Sequence, residues 1–349
     1  MVVTAILIGL FFALNIGSSG AAASMGIAYG SGVVKKRMAL ILCAIAVFLG
    51  AFLGGGEVVK TLGNEIIPSS SFTVSVTIIV LSSSALSLFF ANMLGIPLST
   101  SEVVVGSIVG VGIVYQTIYL GNLFSIMLFW LLTPVIAFLL AIAAALVLKI
   151  VQVQSLLGSS IATKLLPILV VFLGMFEAFS AGMNNVANAV GPLVGAGVMR
   201  SGSGIFWGGL FVAIGALFLG KRVLETNGKK ITTIRLEEGC IISGTGATIV
   251  TMASIFGIPV PLTQITTSSI IGIGFVKDGV KVLKKSIVIQ LLTVWIVSPV
   301  ISMVLSYTLI QILIEQNFYP IIVVLGVFIS SFGVLFLMKR REVVINERN

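Results

Sequence analysis

Histidine is absent from this chain, aspartate occurs once, at Asp278, and cysteine twice, at Cys43 and Cys240. Without histidine there is no usual proton shuttle and the commonest metal ligand is missing. The two cysteines sit far apart in apolar runs, so they suggest neither a disulfide framework nor a metal site. Neither a metal nor a cofactor is expected. Charge is scarce as well: 9% of residues are charged, where a soluble domain has about 25%. That surface is not built for water.

What fills the chain instead is apolar. Hydrophobic residues make up 58% of it and the mean hydropathy is +1.22. Long, nearly uncharged runs recur from one end to the other, which defines an all-α, polytopic helical membrane protein. The first residues are apolar but have no preceding basic region and no small-residue cleavage site, so they read as a membrane helix and not as a signal peptide. A net charge of +9 raises the question of a nucleic-acid partner. The basic residues lie in short loops between apolar runs, where they set topology, so no nucleic acid is expected.

The loops holding Lys35-Lys36-Arg37, 149–164, 221–235, 277–285 and Lys339-Arg340-Arg341 carry the basic residues and are assigned to the cytoplasm. The stretches 63–72, 115–122 and 315–319 have none and are assigned outside. Eleven crossings thread between them, near 1–34, 38–56, 72–93, 97–114, 123–148, 165–199, 203–220, 236–256, 257–275, 286–312 and 319–338. The expected organisation is a first repeat over 1–150, a second over 151–312, and an extra C-terminal helix with a basic tail over 313–349. The first repeat starts outside and the second inside, which makes the repeat inverted.

Polar residues mark that repeat. Ala13-Leu14-Asn15-Ile16-Gly17-Ser18-Ser19-Gly20 matches Gly182-Met183-Asn184-Asn185-Val186-Ala187-Asn188-Ala189 at an offset of 169. Gly95-Ile96-Pro97, leading into Ser99-Thr100-Ser101-Glu102, matches Gly257-Ile258-Pro259, leading into Pro261-Leu262-Thr263-Gln264, at an offset of 162. The runs 1–34 and 165–199 exceed the length of a straight crossing and are expected to break at their Asn/Gly/Ser clusters. The Gly-x-Pro segments are expected to form re-entrant hairpins, since freed backbone groups persist at membrane depth only where protein or a wet cavity satisfies them. Exposed helix N-termini there can bind an anion. Gly54-Gly55-Gly56 lacks the Lys-Ser/Thr ending and the preceding strand of a phosphate loop, and reads as a helix end or close contact.

Glu102 and Glu177 fall inside apolar runs. An ionisable group at the bilayer centre costs about 2.5–3.5 kcal/mol even on the lenient insertion scale, which marks both as functional candidates. Glu102 directly follows the three hydroxyls, and its repeat partner is the neutral Gln264.

The segment from Phe179 to Pro192 closely resembles the inorganic phosphate transporter (PiT) signature G-x-N-D-V-A-N-A-x-G-P. The segments after Pro97 and Pro259 resemble that family's G-x-P-V-S-T-T-H hairpin, followed by Ser- and Gly-rich stretches at 106–112 and 268–274. The resemblance implies a secondary active transporter for a tetrahedral oxyanion, built from inverted repeats and forming a homodimer. It implies Asn15, Ser19, Asn184, Asn185 and Asn188 for the first motif, and Ser99, Thr100, Ser101, Thr263 and Ser268 as anion ligands. On this register the family aspartates are Ile16 and Asn185, and the motif histidines are Glu102 and Gln264. The pattern is most similar to the sulfate permease (CysP-type) branch, which implies a multi-pass protein of the prokaryotic plasma membrane.

Sulfate is fully deprotonated and offers only acceptors, so its ideal site is made of donors. Phosphate keeps a proton at neutral pH and favours a site with a carboxylate acceptor. Losing both aspartates therefore favours sulfate import, with a proton as the coupling ion carried by Glu102 or Glu177. The alternative is a sodium- or proton-coupled phosphate symporter, with molybdate, thiosulfate or selenate as minor substrates. An anion channel would use the same donors, but paired helix breaks favour alternating access. No Ser/Lys or Asp/Asp pair lies in the spans, so the chain is not expected to be an enzyme.

Overall fold

The computed structural model describes all residues except 95–97, 151–154, 156–157, 230–233, 285 and 324–349. Its labelled helices, in chain order, begin with α1 (Val2–Ile16), α2 (Lys36–Gly54), α3 (Gly56–Asn64) and α4 (Val74–Leu94). They continue with α5 (Thr100–Tyr115), α6 (Leu120–Leu148), α7 (Ser160–Gly195) and α8 (Ser201–Leu219). The last are α9 (Lys221–Lys229), α10 (Leu236–Ile255), α11 (Leu262–Asp278) and α12 (Ser286–Leu313). Among the described residues, eight helices are long and apolar enough to cross a membrane. They fall on eight of the eleven expected crossings.

Two other crossings are corrected. The runs at 97–114 and 257–275 are α5 and α11, of 16 and 17 residues. At about 1.5 Å per residue each falls short of a hydrocarbon core about 30 Å thick. They are the returning arms of hairpins whose outgoing arms are α4 and α10. In the second hairpin the tip, 256–261, is held open by Gly257, whose φ of +71° suits glycine. The first tip includes Gly95-Ile96-Pro97, which lie outside the described residues, as does most of the crossing at 319–338.

The expected break at the second Asn cluster does not occur. Helix α7 runs unbroken for 36 residues through Asn184, Asn185 and Asn188. Those amides point their hydrogen bonds sideways to the hairpins, so the ladder of α7 has no cause to open. The first copy does depart from regular helix: a π-turn over Gly17–Ala21 follows α1, and short turns at Ala22–Ser24 and Gly26–Gly30 flank Met25. An inserted π-turn is common at functional sites.

Packing interlocks the two halves. Helix α5 of the first half lies chiefly against α12 of the second, and α11 of the second lies chiefly against α6 of the first. Small residues allow the closest crossings, as expected between membrane helices. A Cβ on Gly182 or Gly50 would overlap the backbone of α2 or α7, at Val47 and Phe179 respectively. A Cβ on Gly17 or Gly215 would overlap the backbone of α8 or α1, at Val212 and Leu14. These two crossings repeat at an offset of 165, since Gly17 corresponds to Gly182 and Gly50 to Gly215.

That register corrects the one read from the sequence. At 165 the partner of Asn184 is Ser19, the partner of Asn185 is Gly20, and Asn15 falls opposite Ser180. The displacement is four residues, about one helical turn. A helix motif slipped by one turn keeps its face, so apolar spacing alone does not reveal the slip.

The crossings yield a stability prediction. Gly182→Leu is expected to lower the melting temperature of purified protein or abolish its folding, because overpacking costs about 1–3 kcal/mol and more where backbone must move. Gly202→Leu, where a Cβ meets nothing within 4 Å, should leave melting unchanged.

Candidate anion site

The two hairpin tips meet. The Ser101 hydroxyl at the start of α5 donates to the Val260 carbonyl in the second tip at 3.2 Å. Behind this contact, Asn184 of α7 ties the second tip in place. Its Nδ2 donates to Ser254 Oγ and to the Ile258 carbonyl, both at 3.0 Å, and its Oδ1 accepts the Val260 N–H at 3.1 Å. The tip backbone groups that hydrocarbon would strand are thus satisfied by one amide side chain. Trp130 of α6 adds a bond from its indole Nε1 to the Pro259 carbonyl at 2.9 Å.

The first tip is tied to the same helix. Asn188 Nδ2 donates to Thr100 Oγ1 at 3.0 Å and to Ser101 Oγ at 3.3 Å. Thr100 in turn donates to Asn185 Oδ1 at 3.3 Å. Ser99 caps α5 by accepting the Glu102 N–H at 3.3 Å, as N-cap serines do. The N-termini of α5 and α11 both open onto this cluster, so their positive dipole ends converge there.

Beside the hydroxyls, Gln264 Nε2 donates to Glu102 Oε1, and Ser298 of α12 donates to Oε2 at 3.0 Å. Glu102 and Gln264 stand at matching positions of the two Gly-x-Pro segments, and they touch. Gly20 and Asn185 are likewise close: a Cβ on Gly20 would lie 3.2 Å from Asn185 Nδ2. Glu177 sits further down α7, fully buried, accepting from Thr266 Oγ1 at 2.6 Å and facing Gly246 of α10.

Of the residues singled out from sequence, the structure gathers Ser99, Thr100, Ser101, Glu102, Asn184, Asn185 and Asn188 into one buried cluster. Thr263 and Ser268 lie on α11 beside it; Ser268 is buried, and the Thr263 hydroxyl is buried with no protein partner. Asn188 Oδ1 and Glu177 Oε2 are likewise unpartnered. Asn15 and Ser19 stand apart in their bonding. Asn15 Nδ2 donates to the Phe11 carbonyl at 2.9 Å, and Ser19 Oγ to the Asn15 and Ile16 carbonyls at 3.2 Å. The register shift accounts for Asn15, which lies one turn away from the position equivalent to Asn184.

Sequence reasoning missed Ser254, Thr266 and Ser298. A signal for the last was present. Trp130-Leu131-Leu132-Thr133-Pro134 recurs as Trp295-Ile296-Val297-Ser298-Pro299 at an offset of 165, placing a hydroxyl beside a proline within a helix in each half.

A bundle of membrane-spanning helices in which two hairpins meet over a buried cluster of hydroxyls and amides defines a multi-pass membrane protein of the transporter class. The family model described as the phosphate transporter family matches residues 16–306, and the chain belongs to that family. A protein of Bacillus subtilis (strain 168) named sulfate permease CysP is 52% identical over 97% of this chain and 96% of its own length. Inorganic phosphate transporter 2-1, chloroplastic, of Arabidopsis thaliana is 24% identical over 84% of this chain and 69% of its own length. A solved structure titled the sodium-dependent phosphate transporter superposes with a TM-score of 0.75 at 22% identity, covering 89% of this chain and 99% of that one. It shows the same fold. The chain is thus a multi-pass plasma-membrane protein of an anion-transporter family.

Asn184 and Asn15 should separate in a stability test. Asn184→Ala strands the Val260 N–H and the Ile258 carbonyl in the interior, at about 1–3 kcal/mol for each unsatisfied group. Asn15→Ala removes only a bond to its own helix. Thermal unfolding of the purified variants should show a large fall for the first and a small one for the second.

Proposed function

We propose that this protein is a secondary active transporter that imports sulfate, coupled to protons. The observation that carries the reading is the cluster at the meeting point of the tips, where the hydroxyls of Thr100, Ser101 and Thr263 and the Asn amides gather beside two helix N-termini; an arriving anion would draw these donors away from the bonds they now make to one another. Sulfate needs donors and offers no proton in return. The protonated oxygen of phosphate would find no acceptor among donors alone and would be left unpaired, which is how such a site rejects it. The 52% identity to a protein named sulfate permease supports the same substrate.

The corrected register strengthens this choice. At an offset of 165 the position opposite Asn185 is Gly20, and the two are neighbours, a Cβ on Gly20 lying 3.2 Å from Asn185 Nδ2. Neither supplies a charge. Ser99, Thr100, Ser101, Thr263 and Ser268 are assigned to the anion, with Asn184, Asn185 and Asn188 positioning the hydroxyls. Ser19, through the register, takes the place first given to Asn15.

Alternating access is read from the hairpins. One hairpin base carries Arg235, Glu238 and Lys277, joined by ion pairs, while the loops at the other base have no basic residue. This charge asymmetry supports opposite membrane orientations for the two halves, hence the inverted repeat over 1–150 and 151–312. Carrying a dianion inward against about 100 mV costs about 2.3 kcal/mol per charge, and co-transported protons remove that cost. Glu102 is the first choice of carrier because it touches both repeats; Glu177 is the second. The phosphate-named family and the phosphate-transporter fold match favour one competing reading, a phosphate symporter.

In proteoliposomes, excess unlabelled sulfate should suppress labelled sulfate uptake and phosphate should not; suppression by phosphate alone would establish the competing reading. Ser101→Ala and Thr100→Ala should each raise the apparent Kd by an amount worth about 1.5–3 kcal/mol, the value of a hydrogen bond to a charged group. Uptake should increase as external pH falls, persist without sodium, and lose its pH dependence in Glu102→Gln. Uptake that follows a sodium gradient and ignores a pH gradient would defeat the coupling assignment.

A further inference from the structure

Three carboxylates are buried among the described residues: Glu102, Glu177 and Glu238. Glu238, at the base of the second hairpin, is held by Lys277 at 2.6 Å and by Arg235 at 3.3 Å. The other two have no ion pair, and no lysine or arginine is buried among the described residues. Glu102 is faced by Gln264 on α11 and Ser298 on α12. Glu177 is faced by Thr266 on α11, Ser243 on α10 and the Cys43 thiol on α2, which already donates to the Ala21 carbonyl at 3.0 Å.

Each of the two has a place for a proton. At Glu177, Oε1 accepts from Thr266, while Oε2 and the facing Ser243 hydroxyl are both buried without a partner. A proton on Oε2 supplies the donor that Ser243 can accept. At Glu102, Oε2 meets the Ser298 hydroxyl, which can turn from donating to accepting. Both glutamates also hold the same hairpin arm. Gln264 and Thr266 stand two apart on α11 and so point to different sides of it. Glu102 grips one side and Glu177 the other.

We propose that Glu102 and Glu177 are joint proton sites, one proton on each, and that one sulfate crosses with two protons. The assignment rests on the proton-coupled sulfate reading above and goes beyond it by requiring both glutamates. The charge count leads to it. An ionised carboxylate with no buried cation beside it is costly in the interior, and an entering dianion adds two further negative charges. Protonating both glutamates as sulfate binds removes two negative charges while two arrive. The interior then carries the same charge loaded and empty, so the donors and helix N-termini face a constant charge in both halves of the cycle. On the inner side both protons leave with the anion, and the glutamates return ionised.

The test measures how far sulfate accumulates in proteoliposomes holding the purified intact protein, with a pH gradient imposed and the membrane potential clamped by potassium and valinomycin. Two protons per sulfate set an equilibrium accumulation of about a hundredfold per unit of pH gradient, about tenfold for each proton. Varying the clamped potential should leave that ratio unchanged. Glu177→Gln should fall to about tenfold per unit and become sensitive to the potential. Thr266→Val keeps the carboxylate but removes a donor that favours its ionised form, so half-maximal uptake should move to higher pH. Wild-type accumulation of only about tenfold per unit, or the wild-type ratio kept in Glu177→Gln, would overturn the proposal. If Glu177→Gln does not fold, an unmoved pH profile in Thr266→Val would overturn it equally. Accumulation that ignores the pH gradient altogether would instead defeat the proton-coupled reading beneath it.

Discussion

A helix that stops inside a membrane leaves peptide groups with no water to bond, and the structure turns on how that demand is met. Asn184 meets it for the second hairpin by donating its amide hydrogens to Ile258 and Ser254 and accepting the Val260 N–H on its oxygen. Because the same helix reaches the first hairpin through Asn185 and Asn188, one unbroken element holds both tips. The hydroxyls of Thr100 and Ser101 are therefore fixed by the requirement that lets the chain break there at all. Site and fold rest on one set of hydrogen bonds.

Much of this was legible beforehand. Low charge and long apolar runs identify a bundle of membrane helices, and the repeated Gly-x-Pro segments locate the hairpins. Hydroxyls, asparagines and a glutamate within apolar runs mark a candidate site because nothing in hydrocarbon stabilises them otherwise. The residues the structure brings together at Thr100, Ser101, Glu102, Asn184, Asn185 and Asn188 are those the sequence singled out.

The misses have physical causes. A Gly/Asn/Ser cluster looks like a break from sequence, yet α7 stays helical because its amides find partners on other helices and leave its own ladder intact. The sequence match of the first motif lies one turn out of register because a helix displaced by a turn presents the same face, and backbone-to-backbone contact at Gly17 and Gly182 fixes the alignment. Length separated true crossings from α5 and α11, but end points in an apolar run cannot be read to the residue. Ser298 escaped because an isolated serine in a membrane helix is ordinarily a packing residue; the motif it shares with Thr133 sets it apart.

The glycine crossings carry a mechanical consequence. Where a backbone carbonyl rests on a glycine Cα, neither helix can slide or roll without collision, so α1 with α8 and α2 with α7 behave as two rigid struts. Among the described residues no comparable lock joins the two hairpin tips, which meet through a serine hydroxyl and amide side chains. Side-chain bonds can be exchanged one at a time at little cost, whereas interlocked backbones cannot. Compliance is thereby concentrated at the seam between the tips, and any movement that exposes first one side of the site and then the other is directed to that seam by the stiffness of its surroundings.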